Sequence, residues 1–297
     1  MALTLRGRAL RAGDRVRLVS PASYPSREWV DELVRLLTGW GLVVEIGEHA
    51  LDRWGFMAGR DEDRIADLDA AFGDPGVRAV VATRGGAGAY RIVDGLDFAA
   101  IRADPKPLVG MSDITNLHIA LWRHCRLATI HAWPAGDRAI ASLHQLLTTT
   151  KPLTVVRDLS SPTAALDVPG TASGPLVGGN FTAIQGFVGA GVPSLEGAIL
   201  CVESPVTPAD PVLLDASLRP LVESGSLDGV RAVAIGDLGA IDPDGLQVWR
   251  VRLGELAVPV LGGLPFGHLE DQTSLPLGTP ATLDTAAGTL TVAPAVA

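Results

Sequence analysis

Short apolar runs alternate with stretches of helical periodicity over the first 131 residues. In the periodic stretches apolar residues recur every three or four positions, as they do from Trp29 to Trp40, where Ser26 is a candidate helix N-cap. The apolar runs predict strands at 15–23 (ending in a loop), 42–46, 77–83, 107–111 and 127–131, and the periodic stretches predict helices at 26–40, 61–72, 90–101 and 113–125. Strands separated by helices imply βαβ crossovers and a mostly parallel sheet.

The pattern changes at about residue 134, where prolines, threonines and serines become frequent up to about residue 175. Beyond this stretch, a glycine pair leads into an apolar helix within 178–189, and Gly288 marks the turn of a terminal β-hairpin. The other predicted elements are strands at 198–203 and 230–236, a helix at 210–225 and the hairpin at 279–292.

These elements predict an α/β protein with two domains. The first, over 1–140, is a Rossmann-like parallel sheet with helices on both faces. Residues 141–174 form the predicted connection, and 175–297 form a smaller α/β domain that is rich in β-structure.

Composition excludes several classes of protein. Hydrophobic residues make up 47% of the 297 residues, too many for a disordered chain. The net charge of −9 argues against a nucleic-acid partner, because binding to the phosphate backbone needs clustered Lys and Arg. Two cysteines cannot form a disulfide framework, and no apolar stretch has the length of a signal peptide core or a membrane helix. The sequence therefore predicts a soluble cytoplasmic protein without a membrane partner.

A glycine-rich segment, Thr83-Arg84-Gly85-Gly86-Ala87-Gly88, follows the third predicted strand. A turn of this kind can bind an anion through its backbone N–H groups, or can be a tight turn that needs positive φ. As a dinucleotide-binding fingerprint it is weak, because the third glycine is absent and the segment does not follow the first strand.

Ser112 stands between an apolar strand and a helix. A serine on such a sharp turn is exposed close to a helix N-terminus, where negative charge is stabilised. The next N–H, from Asp113, is placed to donate to an oxyanion. The alternative is that Ser112 or Asp113 only caps the helix, and the local pattern favours that alternative.

Two further polar residues are candidates for chemistry. Glu203 ends an apolar strand, and since burying a carboxylate is costly, it must have a partner, in a site or in a structural salt bridge. His268 lies in a loop rich in Gly and Pro and is the best catalytic candidate among six histidines, although His131 ends a strand and could face the same cleft. Metal-binding motifs are absent from the sequence.

These segments together resemble the serine LD-carboxypeptidase family, which contains muramoyltetrapeptide carboxypeptidases and microcin C immunity peptidases. The resemblance covers almost the whole chain. Its motifs are Val19-Ser20-Pro21-Ala22, Ala58-Gly59 with Arg60-Asp61-Glu62-Asp63-Arg64, Thr83-Arg84-Gly85-Gly86, Lys106-Pro107-Leu108-Val109-Gly110, Ser112-Asp113-Ile114-Thr115, Gly178-Gly179-Asn180, Gly262-Gly263-Leu264-Pro265-Phe266-Gly267-His268 and Leu275-Pro276-Leu277-Gly278.

The resemblance implies a two-domain fold with a Ser–His–Glu triad across an interdomain cleft. Ser112 matches the nucleophile, Glu203 the triad acid and His268 the base. His268 would take the serine proton, and Glu203 would orient the imidazole. The implied oxyanion hole is formed by the N–H groups of Asp113 and Gly86.

The resemblance also implies the substrate and the working state. The expected reaction releases a C-terminal D-amino acid, D-alanine from a murein tetrapeptide, without a metal or organic cofactor and in a homodimer. Arg84, Gly85 and Trp133 are the candidate substrate-binding residues, with Arg84 facing the terminal carboxylate.

Three departures from the family pattern affect the expected pocket. They are Ala87 in place of an aromatic residue, Ala132-Trp133 within the usual His-Gly-Pro, and Ser204-Pro205 after the triad acid. An alternative substrate, which the other branch of the family implies, is a peptidyl-nucleotide of the microcin C type, with Trp133 as the candidate surface for the adenine ring. An alternative of another class is a non-catalytic protein that binds a small ligand or a nucleotide through the glycine-rich loop.

Overall fold

The computed structural model describes residues 4–186, 194–206, 208 and 210–297. The strands are β1 (Arg15–Val19), β2 (Val43–Ile46), β3 (Val77–Ala82), β4 (Leu108–Gly110), β5 (Thr129–His131), β6 (Leu153–Val156), β7 (Thr171–Asn180), β8 (Ile199–Glu203), β9 (Ala232–Ile235), β10 (Val260–Leu261), β11 (Leu275–Leu277), β12 (Pro280–Asp284) and β13 (Thr289–Val292). The α-helices are α1 (Arg27–Gly39), α2 (Asp61–Gly73), α3 (Phe98–Ala103), α4 (Thr115–Cys125), α5 (Asp137–Thr148), α6 (Phe181–Gly186), α7 (Pro211–Glu223) and α8 (Pro243–Gly254).

The first sheet has the strand order β11-β5-β4-β3-β1-β2, and all its pairs are parallel except β11 with β5. Alternate residues of its strands are buried on opposite faces, so that Leu18 packs with α1 and α5 while Val19 packs with α2, α3 and α4. This arrangement confirms the predicted Rossmann-like sheet with helices on both faces.

The second sheet has the order β10-β9-β8-β7-β12-β13-β6. Its first four strands are parallel, and β12, β13 and β6 continue it in antiparallel fashion. Helices α6, α7 and α8 pack on the parallel part. The β12–β13 pair is the predicted hairpin, and Gly288 has φ 64° in its turn.

The two sheets share elements and one apolar core. Strand β11 follows His268 in the chain, yet it pairs with β5 of the first sheet through Leu275 opposite His131. A single buried cluster contains Ile130 of the first sheet together with Leu176 and Leu283 of the second. Residues near the carboxyl ends of β4, β5 and β8 therefore lie at the junction of the two sheets.

Some predicted elements differ from the structure. The helix predicted at 90–101 is wrong, because two 3₁₀ turns (Ala89–Arg91 and Val93–Gly95) precede the short α3. Asp97 caps α3 by accepting from the N–H groups of Ala99 and Ala100, which sets the start of the α-helix.

The predicted connection 141–174 contains the end of α5, the strand β6 of the second sheet and the start of β7. The domain boundaries themselves stay a prediction. The last residues of the helix predicted within 178–189, residues 187–189, lie outside the described residues.

Among the described residues, every helix is too short or too polar to cross a lipid bilayer.

Candidate active site

Ser112 lies directly after β4, in a 3₁₀ turn (Ser112–Ile114) that leads into α4. Its φ is 62°, in the left-handed region that side chains disfavour by about 1–2 kcal/mol. The sharp strand-to-helix turn predicted at this serine is therefore present. Ser112 lines two neighbouring cavities.

The glycine-rich loop is packed closely against this turn. A Cβ at position 85 would lie 2.7 Å from Ser112 Cβ and 2.8 Å from the Met111 carbonyl oxygen. Gly86 has φ 113°, and a Cβ there would overlap the Ser23 hydroxyl, which accepts from the Ala87 N–H at 3.1 Å. The loop backbone thus approaches Ser112 as only glycines allow.

His268 and Glu203 are in direct contact. The Nδ1 atom of His268 lies 2.6 Å from Glu203 Oε2. Glu203 ends β8 and is fully buried, whereas His268 retains 27% exposure of its side chain. Gly267 has φ 111°, and a Cβ there would lie 2.8 Å from Glu203 Cβ. Glycine at 267 therefore allows the loop to bring His268 onto the carboxylate.

The surroundings of Glu203 keep it ionised. Burial raises the pKa of the carboxyl group, but His131 and His268 favour the charged form and lower the pKa to about 2. Asn180 Nδ2 donates to Glu203 Oε1 at 3.2 Å, and the Asn180 backbone N–H donates to Thr115 Oγ1 at 2.9 Å. A charged carboxylate in this position can orient the His268 imidazole.

His131, at the end of β5, faces the same carboxylate from the other sheet. Its Nε2 atom lies 3.7 Å from Glu203 Oε1, beyond hydrogen-bond length, and its side chain is 1% exposed. His131 therefore faces the buried carboxylate, and it is not among the residues that line the two cavities at Ser112.

The side chain of Asp113 is used within the fold. Its Oδ2 accepts from the Ala89 N–H at 2.7 Å, and its Oδ1 accepts from Asn116 Nδ2 at 2.9 Å. Burial raises the pKa of this carboxyl group. These bonds fix the peptide that follows Ser112, whose N–H is the predicted oxyanion donor.

Two cavities meet at Ser112 and Gly86. The first, about 330 Å³, is lined by Arg84, Gly85, Gly86, Met111, Ser112, Trp133, Ala135, Gly267, His268, Leu269, Glu270 and Gln272. The second, about 550 Å³, is lined by Gly86, Ala87, Tyr90, Ser112, Asp113, Asn116, Asn180, Thr182, Ala183, Gly186, Ser204, Pro205 and Val206. The Ser112 hydroxyl group therefore lies where the two cavities meet, so that each cavity can hold the part of a peptide on one side of the scissile bond.

Trp133 forms part of one wall of the first cavity and stacks on Trp29, which is not among the lining residues. The rings of Trp29 and Trp133 stack with centroids 4.5 Å apart, and Trp29 Nε1 donates to the Thr83 carbonyl at 2.6 Å. Arg84 is exposed beside this wall, and within the described ranges no carboxylate lies at ion-pair distance from it. A guanidinium without an acidic partner suits a carboxylate ligand.

The structure brings most predicted site residues together. The following six line the first cavity: Arg84, Gly85, Gly86, Ser112, Trp133 and His268. Asp113 lines the second cavity, and Glu203 lies buried behind His268.

Sequence reasoning missed Gln272 and gave no role to Asn180. Gln272 Oε1 accepts from the Gly267 N–H at 3.2 Å, and its Nε2 donates to the Trp133 carbonyl at 3.4 Å. Gln272 thus connects the His268 loop to Trp133. The only sequence signal for it was a polar residue within the His268 loop, whereas Asn180 stood in a family motif.

Three side chains that could together bind a metal ion lie outside these cavities. His49, Asp52 and Asp63 have ligand atoms within 4.8 Å of one another, and none of the three lines either cavity. The predicted absence of a metal from the site stays a prediction.

Comparisons with known families match both halves of the chain. The model of the LD-carboxypeptidase N-terminal domain matches residues 16–132, and that of the LD-carboxypeptidase C-terminal domain matches residues 173–283. A probable murein peptide carboxypeptidase of Bacillus subtilis is 31% identical over 98% of this chain and 95% of its own length. The murein tetrapeptide carboxypeptidase of Pseudomonas aeruginosa is 31% identical over 91% of this chain and 93% of its own.

Solved structures show the same architecture. The muramoyltetrapeptide carboxypeptidase from Oxalobacter formigenes has a TM-score of 0.78 at 27% identity, covering 94% of this chain and 97% of its own. An MccF-like protein from Bacillus anthracis has a TM-score of 0.87 at 24% identity, covering 98% of this chain and 100% of its own, and this likeness concerns the fold alone.

Proposed function

The chain belongs to the LD-carboxypeptidase family and is a serine peptidase of that family, and we propose that Ser112, His268 and Glu203 are its catalytic triad. The substrate is a murein tetrapeptide, from which the enzyme releases the C-terminal D-alanine. The single observation that supports this best is the His268–Glu203 hydrogen bond at the rim of the cavity that Ser112 also lines.

In the first half of the reaction, Ser112 Oγ attacks the carbonyl carbon before the D-amino acid. His268 Nε2 accepts the hydroxyl proton, and Glu203 stabilises the resulting imidazolium through Nδ1. The N–H groups of Asp113 and Gly86 donate to the oxyanion of the tetrahedral intermediate. When the C–N bond breaks, His268 returns the proton to the leaving amine, and an acyl-enzyme remains.

In the second half, water replaces the amine. His268 takes a proton from water as the oxygen attacks the ester, and it then protonates Ser112 Oγ as the acyl group leaves. The serine, the imidazole, the Glu203 carboxylate and the backbone N–H groups transfer the protons and stabilise the charges of every step, so this mechanism needs no cofactor.

The two cavities suggest how the peptide is oriented. His268 lines only the first, and since this residue must protonate the leaving amine, we assign the first cavity to D-alanine. Arg84, in the same cavity, then binds the terminal carboxylate beside Gly85 and Trp133. The larger second cavity takes the acyl part of the peptide.

Release of D-alanine from a purified murein tetrapeptide, followed by mass spectrometry, tests the function. Wild type should release D-alanine, Ser112→Ala should not, and the exposed Ser160→Ala should behave as wild type. Release that survives in Ser112→Ala would refute the triad. If wild type released none, the muropeptide assignment would fall, and peptidyl-adenylates would be the next substrates.

The role of Arg84 has a separate test. Arg84→Gln should raise KM for the tetrapeptide about tenfold or more, because it removes a charge-assisted contact, while kcat changes little. Arg35→Gln, on the exposed face of α1, is the matched control. A tetrapeptide with a C-terminal amide should bind both forms of the protein equally weakly, and a further loss of binding in Arg84→Gln would contradict a carboxylate contact.

The working form that the family resemblance implies is a cytoplasmic homodimer. Light scattering after size exclusion should give twice the chain mass, and fractionation of cells should place the protein with cytoplasmic markers. A monomer with full activity would refute a dimer requirement.

A further inference from the structure

His131 lies between the strand that precedes the nucleophile and the strand that follows the base. On one side it is paired in register with Gly110 of β4, two residues before Ser112. On the other it is paired with Leu275 of β11, which continues from the His268 loop. Both strand neighbours thus fix the position of His131 relative to the proposed site.

The His131 side chain lacks hydrogen bonds in this arrangement. It is buried, and within the described part of the chain neither ring nitrogen has a hydrogen-bond partner. An unpaired buried polar group costs about 1–3 kcal/mol, so such a group calls for an explanation. The Nε2 atom lies 3.7 Å from an acceptor, Glu203 Oε1.

Glu203 has room for this additional donor. Its Oε2 contacts His268, and from the described residues its Oε1 accepts one bond, that of Asn180, at 3.2 Å. A carboxylate oxygen has two lone pairs. A movement of less than about 1 Å would bring the His131 Nε2–H to hydrogen-bond length, and catalytic hydrogen bonds commonly shorten when the substrate binds.

We propose that His131 is a positioning residue of the first sheet that donates its Nε2–H to Glu203 Oε1 and thereby directs Oε2 toward His268. This inference rests on the proposed triad. It gives the first sheet a contact with the triad acid, which belongs to the second sheet.

The charged and titratable groups around Glu203 come from several elements. His268 faces it from the loop after β10, Asp237 from the segment after β9, and Cys201 from β8 itself. Behind His131 lies His118 of α4, with ring centroids 6.5 Å apart, and its Nε2 donates to the Gly110 carbonyl. Of these groups, His131 and His268 contact the Glu203 carboxylate.

The test uses labelling of Ser112 by a fluorophosphonate, which needs an active triad but no murein peptide. His131→Phe should react about tenfold to a hundredfold more slowly than wild type, while His131→Gln, which keeps an N–H donor, should recover most of the rate. His144→Phe, on the exposed surface of α5, is the matched control. In steady-state hydrolysis of a peptide substrate, His131→Phe should lower kcat and leave KM unchanged, because His131 lines neither cavity.

The pH profile distinguishes positioning from a structural role. Without the donor, the negative charge of Glu203 is less compensated and favours the His268 imidazolium more strongly. The acid limb of kcat/KM against pH should therefore move to higher pH in His131→Phe and return toward wild type in His131→Gln.

The outcomes separate this inference from the proposed function. A wild type that is not labelled at Ser112 would refute the triad. A labelled wild type with His131→Phe reacting at the same rate would refute the role of His131 alone, as would equal losses in the Phe and Gln variants. If neither variant folds, the proton spectrum of fluorophosphonate-labelled wild type decides: hydrogen-bonded imidazole N–H signals assigned to both His131 and His268 are expected, and a signal from His268 without one from His131 would overturn the proposal.

Discussion

At the scale of single residues, the glycine-rich loop approaches the Ser112 turn too closely to leave room for a side chain at position 85. A methyl group at position 85 would come within 2.8 Å of the Met111 carbonyl and closer still to Ser112 Cβ. Gly85→Ala should therefore displace the serine turn and lower kcat/KM about a hundredfold, as small displacements of reacting groups do. Steady-state hydrolysis of the tetrapeptide measures this.

Gly39→Ala provides the comparison for that variant. Gly39 ends α1, and a Cβ there would meet nothing within 4 Å. The activity of Gly39→Ala should equal that of wild type. If Gly85→Ala were also as active as wild type, the close approach of the loop to Ser112 would be unimportant for catalysis.

A second residue-scale prediction concerns acid stability. Burial lowers the pKa of His118 to about 3, although its bond to the Gly110 carbonyl opposes this shift. The unfolded imidazole has a pKa near 6.5, so the unfolded chain binds the proton first as the pH falls. The stabilising contribution is complete well above pH 6.5 and decreases toward pH 3, by about 2 kcal/mol between pH 8 and pH 5.

Urea unfolding of wild type and His118→Phe at pH 8, 6.5 and 5 checks this prediction. At pH 8 the imidazole is neutral in both states, so the difference there gives the effect of packing alone. Toward pH 5 the variant should lose less stability than wild type. Equal losses in the two proteins would show that His118 is not the group that titrates.

At the scale of elements, the start of α1 is set by one hydroxyl group. Ser26 Oγ accepts from the Trp29 N–H at 3.2 Å, as the N-cap prediction requires. Ser26→Ala should lower the free energy of unfolding by about 1 kcal/mol, and Ser26→Asp should restore it. Urea unfolding measures both, and an unchanged midpoint in Ser26→Ala would contradict the capping role.

Elements with strong periodicity could be predicted from the sequence, while those set by distant contacts could not. The apolar runs of β1, β3 and β8 and the periodic face of α1 gave correct assignments. Strand β11 contains only three residues, one of them proline, and joins β5 because the fold brings them together. A pattern of local residues holds no information on such pairing.

The same limit applies to the candidate site. Ser112 follows an apolar strand, Glu203 ends one and His268 lies in a loop rich in Gly and Pro, and those local signals made them candidates. The approach of His131 to Glu203 joins two sheets and appears only in three dimensions. Helix α5 was missed because it lies in a stretch whose prolines and threonines suggested a connection.

At the scale of the whole molecule, the shared core predicts that both sheets unfold together. Leu275 of β11 is fully buried in the cluster that contains residues of both sheets. Leu275→Ala should lower the free energy of unfolding by about 2–5 kcal/mol without splitting the transition. Far-UV circular dichroism and tryptophan fluorescence should coincide in both proteins, and two separated transitions would contradict a common core.

Leu159→Ala is the control for that experiment, because the Leu159 side chain is 74% exposed. Its unfolding midpoint should match that of wild type. A loss as large as that of Leu275→Ala would mean that burial in the shared core does not explain the effect.

The order of the proposed triad along the chain has a consequence for protein synthesis. The ribosome delivers Ser112 first, then Glu203, and last His268, which is followed by β11. A nascent or prematurely terminated chain has the serine but no group to accept its proton. Peptide hydrolysis therefore begins only after His268 has been synthesised, and copies of the enzyme that stop before it are harmless to the peptides around them.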